Sequence, residues 1–313
     1  MGFIKASFRK YIQFIFILLP VIFWGISFIS TKVVLKEIPP VSIAFLRQLI
    51  ALLPLILWGI ITHASFKIAI KDLILLAGSS FFGIVLYFIF ENNGLMHTTA
   101  SSASMIVAAV PVFTLLVEII FFKLKTNLKV IVYIIASVFG VYLVISVNGK
   151  LDFSSSAFKG NMLVMGAMAS WVIYTVLSRK LGSRYSSFII TIYQTVLSSL
   201  LFLPFLIPEI GSWKPLSAAA LLNLLYLGVF CSAVSYFMFL YAIKNLGTAV
   251  SSTFLNLIPV VSVLAGYLIL DEKLLPVQYG GMLIIMVSLF LLSRNQQKQK
   301  NAYYDANVSR NDV

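Results

Sequence analysis

Three ionisable side chains interrupt long apolar runs: Arg47 in AFLRQLIALLPL, Glu91 in YFIFENNGL and Glu118 in FTLLVEIIFF. An ionised group in such surroundings costs a few kcal/mol on insertion scales, about 2.5–3.5 at a helix centre, so each needs a reason to be there. Arg47 reads either as an anion-facing group or carboxylate partner, or as a packing clamp on helix-end carbonyls. Glu91 stands beside Asn92 and Asn93, one helical turn after Tyr87. A carboxylate next to two amides can hold an ammonium group or carry a proton; the competing reading is a cap at the membrane surface. Glu118 is a proton-coupling candidate if it faces a bundle interior, and otherwise reaches toward Lys123 or Lys125.

Aromatic and amide positions form a second set. Trp24, Ser27 and Thr31 recur at i, i+3 and i+7, one face of a helix, as do Ser252, Asn256 and Pro259 at i, i+4 and i+7. Trp171 and Tyr174 share another face. A Trp or Tyr supplies an apolar wall with one polar tip, which suits an amphipathic ligand. The candidate substrate-binding residues are therefore Trp24, Ser27, Arg47, Tyr87, Glu91, Asn92, Trp171, Tyr174, Tyr236 and Asn256, with Glu91 and Glu118 as proton-coupling candidates. No catalytic, metal or cofactor site is expected. His63 and His97 lack metal spacing, no G-x-x-x-x-G-K-[ST] occurs, and no nucleophile–base arrangement is evident.

The elements that must position these groups follow from composition. Of 313 residues, 60% are hydrophobic and 11% charged, with a mean hydropathy of +1.01. A soluble domain is roughly 45–50% apolar and about 25% charged, so the solvent here is lipid. Soluble enzymes, nucleic-acid modules and disordered scaffolds are excluded. A β-barrel is disfavoured because the apolar runs are continuous rather than alternating. A spanning helix needs about 20 apolar residues. Ten spans are expected, near 11–32, 41–62, 73–96, 99–122, 128–147, 160–180, 187–207, 216–242, 248–270 and 276–293, with 295–313 as a disordered polar cytoplasmic tail. The basic residues before the first run read as the flank of a retained helix rather than a cleaved signal, and the single Cys231 is uninformative about compartment.

The net charge of +13 resembles a nucleic-acid footprint until it is placed on the spans. Of the 23 Lys and Arg, Lys32, Lys36, Lys150, Lys159, Lys214 and Lys273 fall on one side and Arg47 inside a span; all the others share the opposite side. By the positive-inside rule that side is cytoplasmic and holds both termini, in the plasma membrane.

The chain also repeats itself. A shift of 148 lays SASMIVAAVPVFTLL from Ser102 on VSSTFLNLIPVVSVL from Val250, matching Ser104 with Ser252 and Pro111 with Pro259. A shift of 147 matches Trp24 with Trp171 and sets Lys32 on Arg179. Two similar halves of five spans each must insert with opposite orientation, so the fold class is all-α integral membrane, ten helices as two inverted five-helix repeats (11–149 and 159–294). Pro111 and Pro259 are expected to bend their helices mid-span, and Gly78, Gly83, Ala136 and Gly140 to permit close packing.

Several segments carry a family resemblance: FWGISFISTK (Phe23 to Lys32), SWVIYTVLSRK (Ser170 to Lys180), AFLRQLIALLPL (Ala44 to Leu55), YFIFENNGLMHTTASSASMI (Tyr87 to Ile106) and SYFMFLYAIKNLGTAVSSTFLNLIPVVSVLAGYLILDEK (Ser235 to Lys273). Over about 15–293 the sequence resembles the drug/metabolite transporter superfamily, in its ten-helix branch built from two EamA-type domains. Glu272 fits the acidic residue that ends the fourth helix of a repeat, but the first half has Leu124 there; that acid reads as interfacial and structural. The resemblance implies a transporter and leaves the substrate open. The expected function is export or facilitated movement of a small metabolite, such as an amino acid or amphipathic amine, by alternating access around a central cavity. Its partners are that solute, the lipid bilayer and, through the acids, protons. The alternative is an intramembrane enzyme acting on a lipid or peptide.

Overall fold

In lipid a backbone N–H or C=O can be satisfied only within its own segment, so each long apolar run must fold as a helix. The structure, a computed structural model, describes residues 2–121, 123, 126–146, 152–182, 184–246 and 254–311. Within these, the side chains of 2–14, 118, 175, 179–180, 182, 187, 240, 243–246 and 296–311 are not described.

The helices are α1 (Gly2–Val34), α2 (Pro40–Ile61), α3 (Ile70–Leu95), α4 (Ala100–Phe121), α5 (Leu128–Ile145), α6 (Ser156–Gly182), α7 (Ser187–Leu206), α8 (Ala218–Leu225 continuing through Ser235–Leu246), α9 (Ile258–Leu270) and α10 (Pro276–Asn311). Local chemistry starts them. Pro40 occupies the first turn of α2, where its missing N–H is no loss. Thr99, Asn127, Ser186 and Ser217 each accept a backbone N–H from the helix they open. Among the described residues nine helices are long and apolar enough to span a membrane, and α9 is a shorter apolar tenth. Outward-facing Ile70, Ile74, Leu268 and Phe121 form part of the surface offered to the acyl chains.

Packing follows an inverted two-fold plan. Counting five helices per repeat, α1 against α8 and α9 mirrors α6 against α3 and α4, while α2 against α8 mirrors α7 against α3. The pairs α2–α7, α4–α9 and α5–α10 are their own mirror images. Glycines make the closest approaches: a Cβ on Gly140 would lie 2.8 Å from the carbonyl oxygen of Gly281, and one on Gly83 2.3 Å from the ring of Tyr174.

Three details differ from the sequence reading. Helix α3 widens to π-helix over Phe81–Leu86, and its counterpart α8 does so over Tyr226–Val234. Pro259 stands at the start of α9, after a turn at Asn256–Leu257, rather than mid-helix. The corresponding break in α4 falls at Ala109, just before Pro111. In both repeats proline thus opens a fresh helical segment, where it displaces no hydrogen bond. Lastly, α10 stays helical to Asn311, through the segment read as a disordered tail; 295–311 contains no Gly or Pro to stop it.

Candidate functional site

Arg47 lies two turns into α2, only 5% exposed. Its Nε donates to Ser232 Oγ at 3.1 Å, and its guanidinium carbon sits 4.3 Å over the centre of the Phe88 ring. Ser232 belongs to the π segment of α8 and donates to Leu227 O, five residues back. The wider turn thus presents Ser232 to α2, and Gly228 lets α2 come close, since a Cβ there would meet Ile50 at 2.4 Å.

Glu91, 6% exposed, accepts a hydrogen bond from Tyr87 Oη at 2.8 Å. Tyr87 follows the π segment of α3 directly and packs on Trp171, with ring centroids 5.3 Å apart; Trp171 in turn meets Tyr174 at 4.8 Å. Across the two-fold, Trp24 packs edge-on against Tyr236 at 5.6 Å, and its Nε1 donates to Cys231 O at 2.8 Å. Tyr236 lies within electrostatic reach of Arg47, Glu91 and Tyr174. The structure therefore brings Trp24, Arg47, Tyr87, Glu91, Trp171, Tyr174 and Tyr236 together where the two repeats meet.

No ion pair joins Arg47 to Glu91 among the described residues. Beyond Nε on Ser232 and Oε1 on Tyr87, no hydrogen bond to a described residue engages the guanidinium or the carboxylate. Two opposite charges are held near one another, each with hydrogen-bonding capacity to spare.

The remaining predicted residues sit apart from this group. Ser27 Oγ donates to Trp24 O within its own helix. Asn92 is fully buried and donates to Pro40 O at 2.8 Å, tying α3 to the start of α2, while its Oδ1 has no partner among the described residues. Asn256 occupies the turn before α9, its buried Nδ2 unpartnered among the described residues. Ser252, and the Glu118 side chain, lie outside what the structure describes. The sequence reading missed Ser232 and Phe88, because neither a serine in an apolar run nor a phenylalanine after Tyr87 signals an Arg47 contact from α2.

The charged groups belong to one repeat only. A shift of 147 sets Arg47 on Gln194, which is also buried and donates from Nε2 to a serine, Ser79, at 2.9 Å. The residue four after Tyr236, placed as Glu91 is to Tyr87, is Leu240. A separate cavity of about 280 Å³ opens at the end of the bundle where α1 finishes, lined by Lys32, His97, Thr98, Asn161 and Gln278 among others. No cluster of three or more His, Cys, Asp or Glu occurs among the described residues.

A ten-helix inverted repeat with buried charge at its seam is the plan of a membrane transporter, and comparison with known proteins gives the family. The chain belongs to the EamA-like transporter family, whose model matches residues 12–146 and 158–294. It is 30% identical to an uncharacterized transporter of Archaeoglobus fulgidus over 91% of this chain and 99% of that one. It is 27% identical to a protein of Escherichia coli K12 named "Probable amino-acid metabolite efflux pump", over 88% of this chain and 92% of that one. A "Probable terminal-alkyne amino-acid exporter" of Streptantibioticus cattleyicolor is 24% identical over 72% and 74%. One solved crystal structure shares the fold at a TM-score of 0.64 and 16% identity, covering 93% of this chain and 99% of its own. The protein is a multi-pass membrane protein of a transporter family.

Proposed function

We propose that this protein moves a small metabolite across the plasma membrane, as an exporter or facilitator, with both termini in the cytoplasm. The two inverted repeats rock about the Arg47–Glu91 group, exposing it to one side and then the other. The observation that carries this reading is the pair of buried ionisable groups, Arg47 and Glu91, not bonded to each other, each holding one side-chain hydrogen bond, and walled by Trp24, Tyr87, Trp171 and Tyr236. Buried charge without a partner is destabilising unless a ligand completes it. An ammonium group fits the carboxylate of Glu91, a carboxylate fits the planar fork of Arg47, and an apolar body fits the aromatic walls. That is an amino acid or an amphipathic amine, which accords with the printed names of the two relatives above. Glu91 is also the group through which a proton could be exchanged for the solute.

The test is flux into proteoliposomes of radiolabelled amino acids and amphipathic amines, with and without a pH gradient. At least one solute should move saturably, and Glu91→Gln should abolish that flux while the protein stays folded. If no solute moves, or if Glu91→Gln carries it at the parent rate, the reading is wrong.

A further inference from the structure

Three helix N-termini at one end of the bundle are closed by carboxylates from the opposite repeat. Glu37, in the turn after α1, accepts the Ser217 backbone N–H on Oε2 and the Ser217 hydroxyl on Oε1, both at 2.6 Å, at the start of α8. Glu209, after α7, accepts Val41 N at 3.1 Å and both Ser42 N and Ser42 Oγ at 2.7 Å, at the start of α2. Glu272, after α9, accepts Ala100 N at 2.8 Å, Ser101 N at 3.1 Å and Ser101 Oγ at 2.8 Å, at the start of α4; Lys32 Nζ adds a contact at 3.3 Å. Each tie joins groups 167 to 180 residues apart. Each places a negative charge on the unpaired N–H groups at a helix's positive end, the strongest arrangement such a cap can have.

The opposite end is built otherwise. There α5 and α7 are capped by their own Asn127 and Ser186, while α3 has no side-chain cap. The tie between repeats among the described charged residues at that end is Asp72, which accepts from Arg184 Nη1 at 2.6 Å and Tyr185 Oη at 2.7 Å. The Arg184 side chain is half exposed. The repeat shifts explain the imbalance: Glu37 falls on Arg184 and Glu209 on Thr62 at 147, and Glu272 on Leu124 at 148. An inverted repeat would make both ends alike, but substitution at these three positions has set three carboxylate caps at the Glu37 end against the Asp72 tie described at the other.

We propose that Glu37, Glu209 and Glu272 are gating residues: together they latch the two repeats at the Glu37 end and bias the protein toward the form closed there. This rests on the alternating-access reading above, in which opening that end must part the repeats and so break these caps. The latches act on the ground-state equilibrium and touch no solute at the Arg47–Glu91 group.

The reporter is a cysteine at Val34, which is fully buried in the cluster that α1 and α2 share with Leu224 and Leu227 of α8, placed in a Cys231→Ala background. A membrane-impermeant maleimide is added to sealed right-side-out vesicles. The parent should label slowly. Glu37→Gln and Glu209→Gln should each speed labelling severalfold, and together about tenfold or more, since each removes charge-assisted bonds from the closed form. Glu209→Asp, which keeps the charge but shortens the reach, should fall between, and offers a second folded variant. Asp72→Asn at the other end should leave the rate at or below the parent's. Parent-rate labelling in the Glu variants would overturn the proposal, and so would an equal rise in Asp72→Asn, which would mean general loosening. Labelling requires no solute, so failure to find flux would count against the transport reading and leave the latch separately decided.

Discussion

The α5–α10 contact offers a controlled test of the packing argument, because two adjacent glycines in α10 face opposite ways. A Cβ built on Gly281 lies 2.7 Å from Gly140 O, 2.9 Å from Leu143 Cβ and 3.0 Å from Val144 N, whereas one on Gly280 meets nothing within 4 Å. Two of the three obstructing atoms are backbone, so Gly281→Ala can be accommodated only by moving α5 and α10 apart. Overpacking of this kind costs typically about 1–3 kcal/mol. Both variants gain the same helix propensity, about 1 kcal/mol for Gly→Ala. Subtracting one from the other cancels that gain, and Gly281→Ala should be less stable than Gly280→Ala by about 1–3 kcal/mol. Gly280→Ala alone should be neutral or up to about 1 kcal/mol more stable than the parent. Denaturation by SDS in mixed micelles, followed by far-UV circular dichroism, measures the difference directly. Equal midpoints for the two variants would refute the close approach of these helices.

Two further outcomes follow from contacts elsewhere. Thr98 Oγ1 donates at 2.6 Å to Asn161 Oδ1, whose residue is 2% exposed, so Thr98→Val should leave that acceptor unpaired and lower stability by about 1–3 kcal/mol in the same assay. The hydroxyl and then the backbone N–H of Ser217, with help from the charge of Lys214, hold the Glu37 carboxyl below its ordinary value of 4.5. A carboxyl depressed in the folded state adds stability above its unfolded pKa and loses it as pH falls through the folded one. The melting-temperature gap between the parent and Glu37→Gln should therefore be constant from pH 7 to about 5 and shrink only below 4.5; a gap that closes between pH 7 and 5 would contradict the bonding at Ser217.

The scaffold was legible in the sequence because lipid leaves few options. An apolar run of spanning length must be helical, and Trp24 on Trp171 with Pro111 on Pro259 announces the repeat. The π segments were not legible: nothing in FFGIVL or YLGVFCSAV departs from an ordinary apolar helix, yet these turns help place Ser232 and Tyr87. Nor were the latches, since Glu209 and Ser42 are 167 residues apart and share no periodic pattern. Glu272 could be read as structural from its surface position, but not as the cap of a helix in the other half.

What separates the two kinds of residue is symmetry. Positions that build the bundle recur in both repeats: Trp24 with Trp171, Tyr87 with Tyr236, and the break before Pro111 with the one before Pro259. The charged positions assigned to recognition or gating do not recur. Arg47 is answered by Gln194, Glu91 by Leu240, Glu37 by Arg184 and Glu272 by Leu124. A scaffold contact gains from being made twice, because two inverted copies must pack on each other by the same rules. A charge gains nothing from duplication: a second arginine beside the first would repel it, and a second set of carboxylate latches would hold the opposite end shut as well. This makes an expectation for exchange across the two-fold. Gln194→Arg adds a second buried cation near the contact with Ser79 on the neutral side, and should destabilise the protein or abolish flux, whereas Arg47→Gln should preserve the fold through Ser232 and lose only transport. Measuring stability and flux for both variants decides it: if Arg47→Gln unfolds the protein while Gln194→Arg is tolerated, Arg47 belongs to the scaffold after all.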